Sequence, residues 1–344
     1  MRSVLALALA AAMACARSQE PPPAAPPAPP TPVVPAGALD PLLTTYAYPY
    51  PVAFHEIASQ QQTLRMAYLD VAPTGPPNGR TVLLLHGKNF SAAYWAMTIQ
   101  LLGKAGFRVI APDQIGFGKS DKPDRYQFSF EALVANTRSL LDALGVQRVS
   151  VVGHSMGGML ATRFALLMPE RTERLVLVNP IGLEDYREHV PAATIDELYA
   201  QELRATPQSI REYMTNAYFA GQWRSSYEPL VEILAGWTRH PEYARVAWNA
   251  ALTADMIYTQ PVVHDFRRIT VPTLLVIGQR DRTALGKDRA PKEVAAMLGN
   301  YPELGRRTAA RIPGAKLVAL AGIGHLPQVE AFDAYGRALL DFLR

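Results

Sequence analysis

The chain has 344 residues, of which 49% are hydrophobic and 19% are charged, and its formal net charge at pH 7 is +4. This length and composition fit one large globular domain or two smaller ones and exclude a disordered chain. The Lys and Arg residues are scattered, so no basic stripe for nucleic acid is predicted. No run reaches the roughly 18–20 apolar residues that a transmembrane helix needs.

Residues 1–16 have the layout of an export signal. One Arg precedes about ten apolar residues, and small residues surround Cys15, which is typical of a signal peptide. Two endings fit: cleavage at the A-x-A pattern of residues 14–16, or a lipobox over 12–15 that leaves Cys15 as the lipidated first residue. We therefore expect a bacterial periplasmic protein or a lipoprotein tethered to the membrane through Cys15. No second cysteine is present, so no disulfide is expected.

A proline-rich linker is predicted over residues 17–35. Nine prolines lie within residues 21–35, and such a segment extends as polyproline II instead of packing into a core. The folded domain is therefore expected to cover residues 36–344.

The domain alternates between predicted strands and helices. Short apolar runs predict strands over Val52–Ala58, Leu64–Asp70, Thr81–Leu85, Arg108–Ala111, Arg148–Val152, Arg174–Val178, Thr273–Ile277 and Lys316–Leu320. The last six are nearly continuous in Val, Leu and Ile, as in parallel strands buried on both faces. Helical patterns between them include Trp95–Lys104, Phe130–Leu144 and Met156–Met168. The order predicts a doubly wound, mostly parallel, eight-stranded α/β sheet.

The strand pattern stops between the sixth and seventh predicted strands. Residues 183–262 are helical in pattern and rich in aromatic residues, among them Tyr186, Tyr213, Tyr218, Phe219, Trp223, Tyr227, Trp237, Tyr243, Trp248 and Tyr258. We interpret this stretch as a helical cap with aromatic side chains that face a cleft, because the strand pattern resumes cleanly after it. Additional packing helices are the alternative.

The stretch "VVGHSMGGML" places Ser155 in a G-x-S-x-G motif between a predicted strand and a predicted helix. A sharp strand-to-helix turn requires small neighbours, which Gly153 and Gly157 supply, and Gly158 allows the helix to lie close to the sheet. The motif alone is common, but this context predicts that Ser155 is a nucleophile exposed at the start of a helix.

A serine nucleophile needs a base, and the base needs an acid. His325 follows the last predicted strand and is the expected base. Asp281 follows a buried strand at the edge of the sheet where active sites form, and is the expected acid. Asp288 is the reserve candidate for the acid. The remaining histidines have weaker claims, and these are His55, His86, His154, His189, His240 and His264.

The oxyanion of an acyl-transfer reaction needs two N–H donors. The backbone amide of Met156, which follows the nucleophile, is one expected donor. The loop after the third strand, "HGKNF", should supply the second donor through the amide of Lys88, with Asn89 as the alternative.

With these motifs in place, the chain resembles the α/β-hydrolase superfamily in its capped esterase and lactonase branch. The resemblance covers residues 52–343 and rests on "HGKNF", "DQIGFGKS", "GHSMGG", "GQRD" and "GIGH". It implies a structural role for Asp113 and a catalytic order of Ser155, Asp281 and His325. Two features depart from the pattern: the charged Lys88, and a long spacing from Asp281 to His325 that suggests one added helix.

The expected activity is hydrolysis of a carboxylic ester or lactone, with a small apolar molecule as substrate and no metal or organic cofactor. Hydrolysis of carbon–carbon or amide bonds, and perhydrolase or haloperoxidase-like chemistry, remain alternatives on the same three residues. A non-catalytic binding module of the cell envelope is a rival from another class, although such a module has no reason to carry all three groups. The sequence does not predict the oligomeric state.

Overall fold

The computed structural model describes residues 34–344. The predicted signal peptide, Cys15 and most of the predicted linker lie outside the described residues. Within 34–344 the strands are β1 (Val52–Ser59), β2 (Gln62–Val71), β3 (Thr81–Leu85), β4 (Arg108–Pro112), β5 (Val149–His154), β6 (Thr172–Val178), β7 (Thr273–Gly278) and β8 (Lys316–Leu320). Their ends lie within two residues of the predicted ends.

The eight strands form one sheet in the order β1-β2-β4-β3-β5-β6-β7-β8. The pairs β1–β2 and β2–β4 are antiparallel, whereas the other neighbouring pairs are parallel. The predicted doubly wound, mostly parallel sheet is therefore confirmed. Because β3, β5, β6, β7 and β8 run in the same direction, the loops at their carboxyl ends meet along one edge of the sheet.

Helices cover both faces of the sheet. The α-helices are α1 (Ala96–Lys104), α2 (Phe130–Ala143), α3 (Met156–Leu167), α4 (Ile195–Leu203), α5 (Pro207–Tyr213), α6 (Glu228–Thr238), α7 (Tyr243–Thr259), α8 (Lys292–Met297), α9 (Tyr301–Arg311), α10 (Pro327–Glu330) and α11 (Phe332–Leu343). No helix in residues 34–344 has the length and hydropathy that a membrane crossing requires.

The central strands bury side chains on both faces. In β3, Leu83 and Leu85 pack with α2, α3 and α9, whereas Val82 and Leu84 pack with α1 and α11. Successive side chains of a strand point to opposite faces, so a strand covered on both sides needs an apolar residue at every position. This explains the continuous Val/Leu/Ile runs of the sequence.

Two details of the fold depart from the prediction. The prediction of burial on both faces is wrong for β8, whose side chains are exposed or half-buried. Among the described strands, β8 lies at the edge of the sheet and pairs with β7 alone. The predicted single added helix after Asp281 is two helices, α8 and α9. Gly299, with φ of +70°, lies between them and interrupts the helical path.

The chain between β6 and β7, residues 179–272, is a helical insertion that contains α4–α7. Its α5 continues into a π-helix over Met214–Tyr218. Single π-helical turns are rare and are frequently found at functional sites.

An N-terminal segment, residues 38–48, packs against the insertion and the sheet. Leu43 is buried with Trp237 of α6 and Val246 of α7, and the Trp237 indole donates a hydrogen bond to the Asp40 carbonyl at 3.0 Å. The segment therefore joins the insertion to the rest of the domain.

Asp113 is buried in the loop after β4 and makes structural contacts. Its carboxylate accepts hydrogen bonds from the Tyr48 hydroxyl at 2.7 Å and from the amides of Ala92 at 2.6 Å and Lys119 at 2.8 Å. A carboxylate with this many donors fixes the turn around it, so the structural role implied by the resemblance agrees with these contacts.

Candidate active site

Ser155 lies on a strained turn between β5 and α3. Its backbone has φ of +55° and ψ of −122°, a region that non-glycine residues rarely adopt and that costs about 1–3 kcal/mol. Such strain persists only where the surrounding structure enforces it. The turn places Ser155 directly before the first residue of α3, where the helix dipole favours negative charge.

The glycines around Ser155 allow three backbone segments to approach closely. A Cβ atom at Gly153 would lie 2.1 Å from the Gly157 carbonyl oxygen, and one at Gly157 would lie 2.1 Å from the Leu85 carbonyl oxygen. A Cβ at Gly158 would lie 2.4 Å from the side chain of Pro180. Since no side chain fits at these distances, the turn depends on all three glycines.

Asp281 and His325 form a buried hydrogen-bonded pair. The Nδ1 atom of His325 lies 2.6 Å from Oδ2 of Asp281, and neither side chain is exposed to solvent. The other ring nitrogen of His325, Nε2, is buried and has no hydrogen-bond partner within residues 34–344. An imidazole that donates from Nδ1 to a carboxylate carries a lone pair on Nε2, and this lone pair can accept the proton of a hydroxyl group.

Asn179, directly after β6, orients the carboxylate of Asp281. Its Nδ2 donates to Asp281 Oδ2 at 2.8 Å, and its Oδ1 accepts from the Gly278 amide at 2.8 Å. The amide of Thr283 donates to Asp281 Oδ1 at 2.8 Å. Oδ1 and Oδ2 of Asp281 are thus held by separate donors, and Oδ2 is the oxygen that faces His325. Asn179 was not among the predicted site residues. Its position directly after a buried strand, at the carboxyl edge of the sheet, is the feature that could have indicated it.

The loop around His325 is held both by its own segment and by the insertion. The carboxylate of Glu330 accepts hydrogen bonds from the amides of Gly324 at 3.0 Å and Leu326 at 3.3 Å. The amide of His325, between them, donates to the carbonyl of Tyr218 in the insertion at 2.8 Å.

His154 connects the Ser155 turn to the His325 loop. Its Nε2–H donates to the His325 carbonyl at 2.9 Å, and its Nδ1 accepts from the Tyr94 hydroxyl at 3.0 Å. Burial holds the pKa of His154 well below its usual range, so the ring is neutral. The rings of His154 and His325 are 4.8 Å apart, which places the Ser155 turn beside the Asp281–His325 pair.

The β3–α1 loop, residues 86–90, packs against Ser155. A Cβ at Gly87 would lie 3.1 Å from the Cβ of Ser155, so the backbone of this loop and the start of α3 face the same site. The amide of Met156 is among the first amides of α3, which have no carbonyl partner within the helix. The predicted donors, Met156 and Lys88, therefore lie on the two segments that flank Ser155.

His86 braces this loop through both of its ring nitrogens. Its Nδ1–H donates to the Gly87 carbonyl at 2.9 Å, and its Nε2 accepts from the Gln114 amide at 3.0 Å. Both ring nitrogens are therefore occupied, and burial lowers the pKa of His86.

The side chains of the β3–α1 loop contact the insertion. The Lys88 ammonium lies 2.7 Å from the Glu202 carboxylate of α4, and their side chains are 17% and 28% exposed. The Asn89 amide donates to the Tyr218 hydroxyl at 2.8 Å. The charge of Lys88, which departs from the family pattern, is thus compensated by Glu202.

A cavity of about 640 Å³ extends from this loop into the insertion. Lys88 and Asn89 lie at one part of its wall, and the rest combines apolar side chains with the charged side chains of Glu202, Arg204, Lys287, Asp288 and Arg289. Its apolar lining includes Phe117, Leu198, Ile210, Met214, Leu234, Trp237, Val246, Ala250, Ala254 and Leu285. Of the aromatic residues predicted to face a cleft, Tyr213, Trp237 and Tyr243 line this cavity, whereas others pack among themselves, such as Phe219 stacked on Tyr227 at 3.9 Å.

The reserve acid, Asp288, lies elsewhere. It lines the cavity, and its carboxylate is 3.4 Å from the side-chain amide of Gln201, whereas Asp281 contacts His325. Asp281 is therefore the carboxylate that this structure pairs with the histidine.

Within residues 34–344, three side chains have ligand atoms close enough to hold a metal ion, namely Asp185, Glu188 and His264. The Asp185 carboxylate, however, already contacts the guanidinium of Arg187 at 2.7 Å and Nε2 of His264 at 2.8 Å. Because Arg187 neutralises the carboxylate that would bind the cation, these contacts describe an ion-pair cluster.

Comparisons with known proteins agree with this fold. The model of the alpha/beta hydrolase family matches residues 82–338. A solved structure described as a probable hydrolytic enzyme, from Pseudomonas aeruginosa PAO1, is 52% identical, with a TM-score of 0.88 over 89% of this chain and 98% of that one.

Two curated relatives are named as hydrolases of dienoate compounds. The 2-hydroxy-6-oxo-6-phenylhexa-2,4-dienoate hydrolase of Burkholderia cepacia is 31% identical over 77% of this chain and 88% of the relative. The 2-hydroxy-6-oxononadienedioate/2-hydroxy-6-oxononatrienedioate hydrolase of Comamonas testosteroni is 30% identical over the same shares.

Proposed function

The chain belongs to the α/β-hydrolase family and is a hydrolytic enzyme, and from that premise we propose that it cleaves carboxylic esters or lactones through an acyl-enzyme. The observation that carries this proposal is the buried Asp281–His325 pair beside the strained turn at Ser155, in which Nε2 of His325 has no partner among residues 34–344. A serine held in this way is a nucleophile once a base accepts its proton.

In the proposed reaction, Ser155 Oγ attacks the carbonyl carbon while its proton passes to Nε2 of His325. Asp281 stabilises the imidazolium, and the amides of Met156 and Lys88 donate to the oxyanion. The tetrahedral intermediate then collapses: the bond to the leaving oxygen breaks, and His325 returns the proton to that oxygen. A water molecule, deprotonated by His325, cleaves the acyl-enzyme and restores Ser155.

The apolar cavity supports a substrate with an apolar acyl or alcohol group. It meets the β3–α1 loop at Lys88 and Asn89, beside the proposed oxyanion position, and continues into the insertion with a volume of about 640 Å³. Ser155 and His325 do not themselves line it. Burial of each methylene group contributes about 0.8 kcal/mol, which corresponds to about fourfold in kcat/KM.

We expect kcat/KM on p-nitrophenyl esters to rise about fourfold per acyl carbon until the cavity is full. Ala250→Leu on α7 should move the optimum toward shorter chains, because the added carbons occupy the cavity. Ala244→Leu, at an exposed position of the same helix, is the matched control. The measurement is a chain-length series for the three proteins, and an optimum that Ala250→Leu leaves unchanged would contradict the proposed binding mode.

Carbon–carbon bond hydrolysis is the second candidate, and the dienoate hydrolases among the relatives favour it. Dienoates carry a carboxylate, and an enzyme that binds one benefits from an uncompensated cation near the nucleophile. In this chain, the cation on the loop beside Ser155 is Lys88, and its charge is paired with Glu202. The pairing at this loop favours a neutral ester or lactone close to Ser155, whereas Arg204, Lys287 and Arg289 lie elsewhere in the cavity wall.

Glu202→Gln is expected to change this preference. Without the Glu202 charge, Lys88 should attract an anionic substrate, raising kcat/KM for a dicarboxylic monoester relative to its neutral methyl diester by about tenfold. The ratio should fall again at high salt, since screening weakens the attraction. Glu232→Gln, on α6 and not in the cavity wall, serves as the control. An unchanged ratio in Glu202→Gln would mean that Lys88 does not face the bound substrate.

We also propose export of the protein, supported by the layout of residues 1–16 and the following proline-rich segment. Mass spectrometry of the mature protein should show loss of at least residues 1–14. If Cys15 is lipidated, the protein should partition into detergent and Cys15→Ala should release it. An intact Met1 on cytosolic protein would refute export.

A further inference from the structure

Tyr218, the last residue of the π-helix in the insertion, contacts both halves of the candidate active site. Its backbone carbonyl and its ring contact His325, and its hydroxyl contacts Asn89 of the β3–α1 loop. It is 4% exposed. Tyr218 takes no part in the reaction proposed for Ser155, Asp281 and His325, so these three contacts indicate a separate role.

The backbone contact depends on an unusually close approach. The Tyr218 carbonyl accepts from the His325 amide at 2.8 Å. A Cβ at Gly324 would lie 2.0 Å from the same carbonyl oxygen, so only glycine permits this approach. The insertion thus lies directly on the loop that carries His325.

The ring contact restrains the imidazole where its hydrogen bond does not. The bond from Nδ1 to Asp281 lies at one edge of the ring and leaves rocking about that bond unrestrained. The Tyr218 ring lies against the imidazole face, with centroids 4.6 Å apart and planes 23° apart. The Tyr213 ring packs edge-to-face with the Tyr218 ring, with centroids 5.2 Å apart, and supports the stack from the insertion.

The hydroxyl contact holds the second half of the site. The Asn89 amide donates to the Tyr218 hydroxyl at 2.8 Å, and Asn89 is adjacent to Lys88, the proposed oxyanion donor. Burial raises the pKa of Tyr218 well above its usual range, so the phenol stays neutral and acts through its geometry.

We propose that Tyr218 is a positioning residue that fixes the His325 imidazole and the oxyanion loop relative to each other. The insertion is then required for catalysis and is not a removable lid. This inference rests on the proposed function, because it assigns His325 as the base and the β3–α1 loop as the oxyanion loop. It adds a requirement beyond the Ser–His–Asp arrangement.

The test compares Tyr218→Leu, Tyr218→Phe, Tyr218→Trp and Asn89→Ala with the wild type. Tyr218→Leu, which lacks the flat face, should lower kcat and the rate of labelling by a fluorophosphonate by about 100-fold, with a much smaller change in KM. Tyr218→Trp should recover most of this loss. Tyr199→Leu, which removes another aromatic pair of the insertion at Trp248, should match the wild type.

The Asn89 contact is tested by a double-mutant cycle. Tyr218→Phe and Asn89→Ala should each lower kcat about threefold to tenfold, the effect of one hydrogen bond. The double variant should lose no more than either single variant, since both remove the same bond. Additive losses would overturn the assignment of the Asn89 link.

A third measurement does not need a substrate. The short Nδ1–H···Oδ2 bond of His325 should give a strongly downfield proton resonance, which Tyr218→Leu should broaden or shift and Tyr218→Trp should retain. A wild type that the phosphonate does not label would refute the proposed function, while this resonance still reports on Tyr218. Normal labelling, normal kcat and an unchanged resonance in Tyr218→Leu would overturn the proposal.

Discussion

Ser155→Ala is expected to lower kcat by about 10⁶-fold, which corresponds to about 8 kcal/mol of transition-state stabilisation. The loss is this large because no other hydroxyl can occupy the strained turn at the start of α3. The fold should survive, since alanine tolerates the same backbone conformation as serine about equally well. The measurement is kcat on the best ester, together with a fluorophosphonate labelling experiment that should modify Ser155 alone.

Ser155→Gly provides a second measurement at the same position. It should be as inactive as the alanine variant, but its melting temperature should be higher, because glycine adopts φ of +55° without strain. Labelling at another residue, or near-normal turnover in Ser155→Ala, would show that the nucleophile has been misassigned.

Asp281→Asn is expected to lower kcat by roughly 10⁴-fold. The reason lies in the donors around the carboxylate. Oδ2 accepts from both Asn179 and His325, and Oδ1 accepts from the Thr283 amide. If the new amide group turns its NH₂ toward His325, the proton moves to Nε2 and the base is blocked. If it turns its oxygen there, the negative charge that stabilises the imidazolium is still lost.

Asp288→Asn is the matched control for this prediction, because Asp288 was the other candidate acid and lies in the cavity wall. Its kcat should stay within a few-fold of the wild type. A large loss in Asp288→Asn with little loss in Asp281→Asn would mean that a different carboxylate serves the base in the active enzyme.

Much of the fold could be predicted because its signals are local. The Val/Leu/Ile runs of the central strands, the glycines around Ser155 and the polar residues after β7 and β8 are each visible within a short window. The geometry of β8 could not be predicted in this way. Its apolar run looks like that of a buried strand, and only the strand order reveals that it has a neighbour on one side.

The remaining contacts of the site join residues far apart in the chain. Asn179 reaches Asp281, and Lys88 reaches Glu202, and neither pairing leaves a pattern in the sequence. The aromatic residues of the insertion were visible, but their composition alone does not distinguish Tyr213, which lines the cavity, from Phe219, which packs against Tyr227.

The domain begins upstream of its first strand, because residues 38–48 pack against the insertion. The family match starts at residue 82, and the first strand starts at Val52, so either limit would discard Leu43. Yet Leu43 is buried together with Trp237 and Val246, and both of those residues line the cavity. A chain trimmed to the first strand would keep the residues proposed for chemistry and lose the backing of the cavity wall. We therefore expect the trimmed chain to discriminate less well between substrates of different length while it still reacts with a small phosphonate.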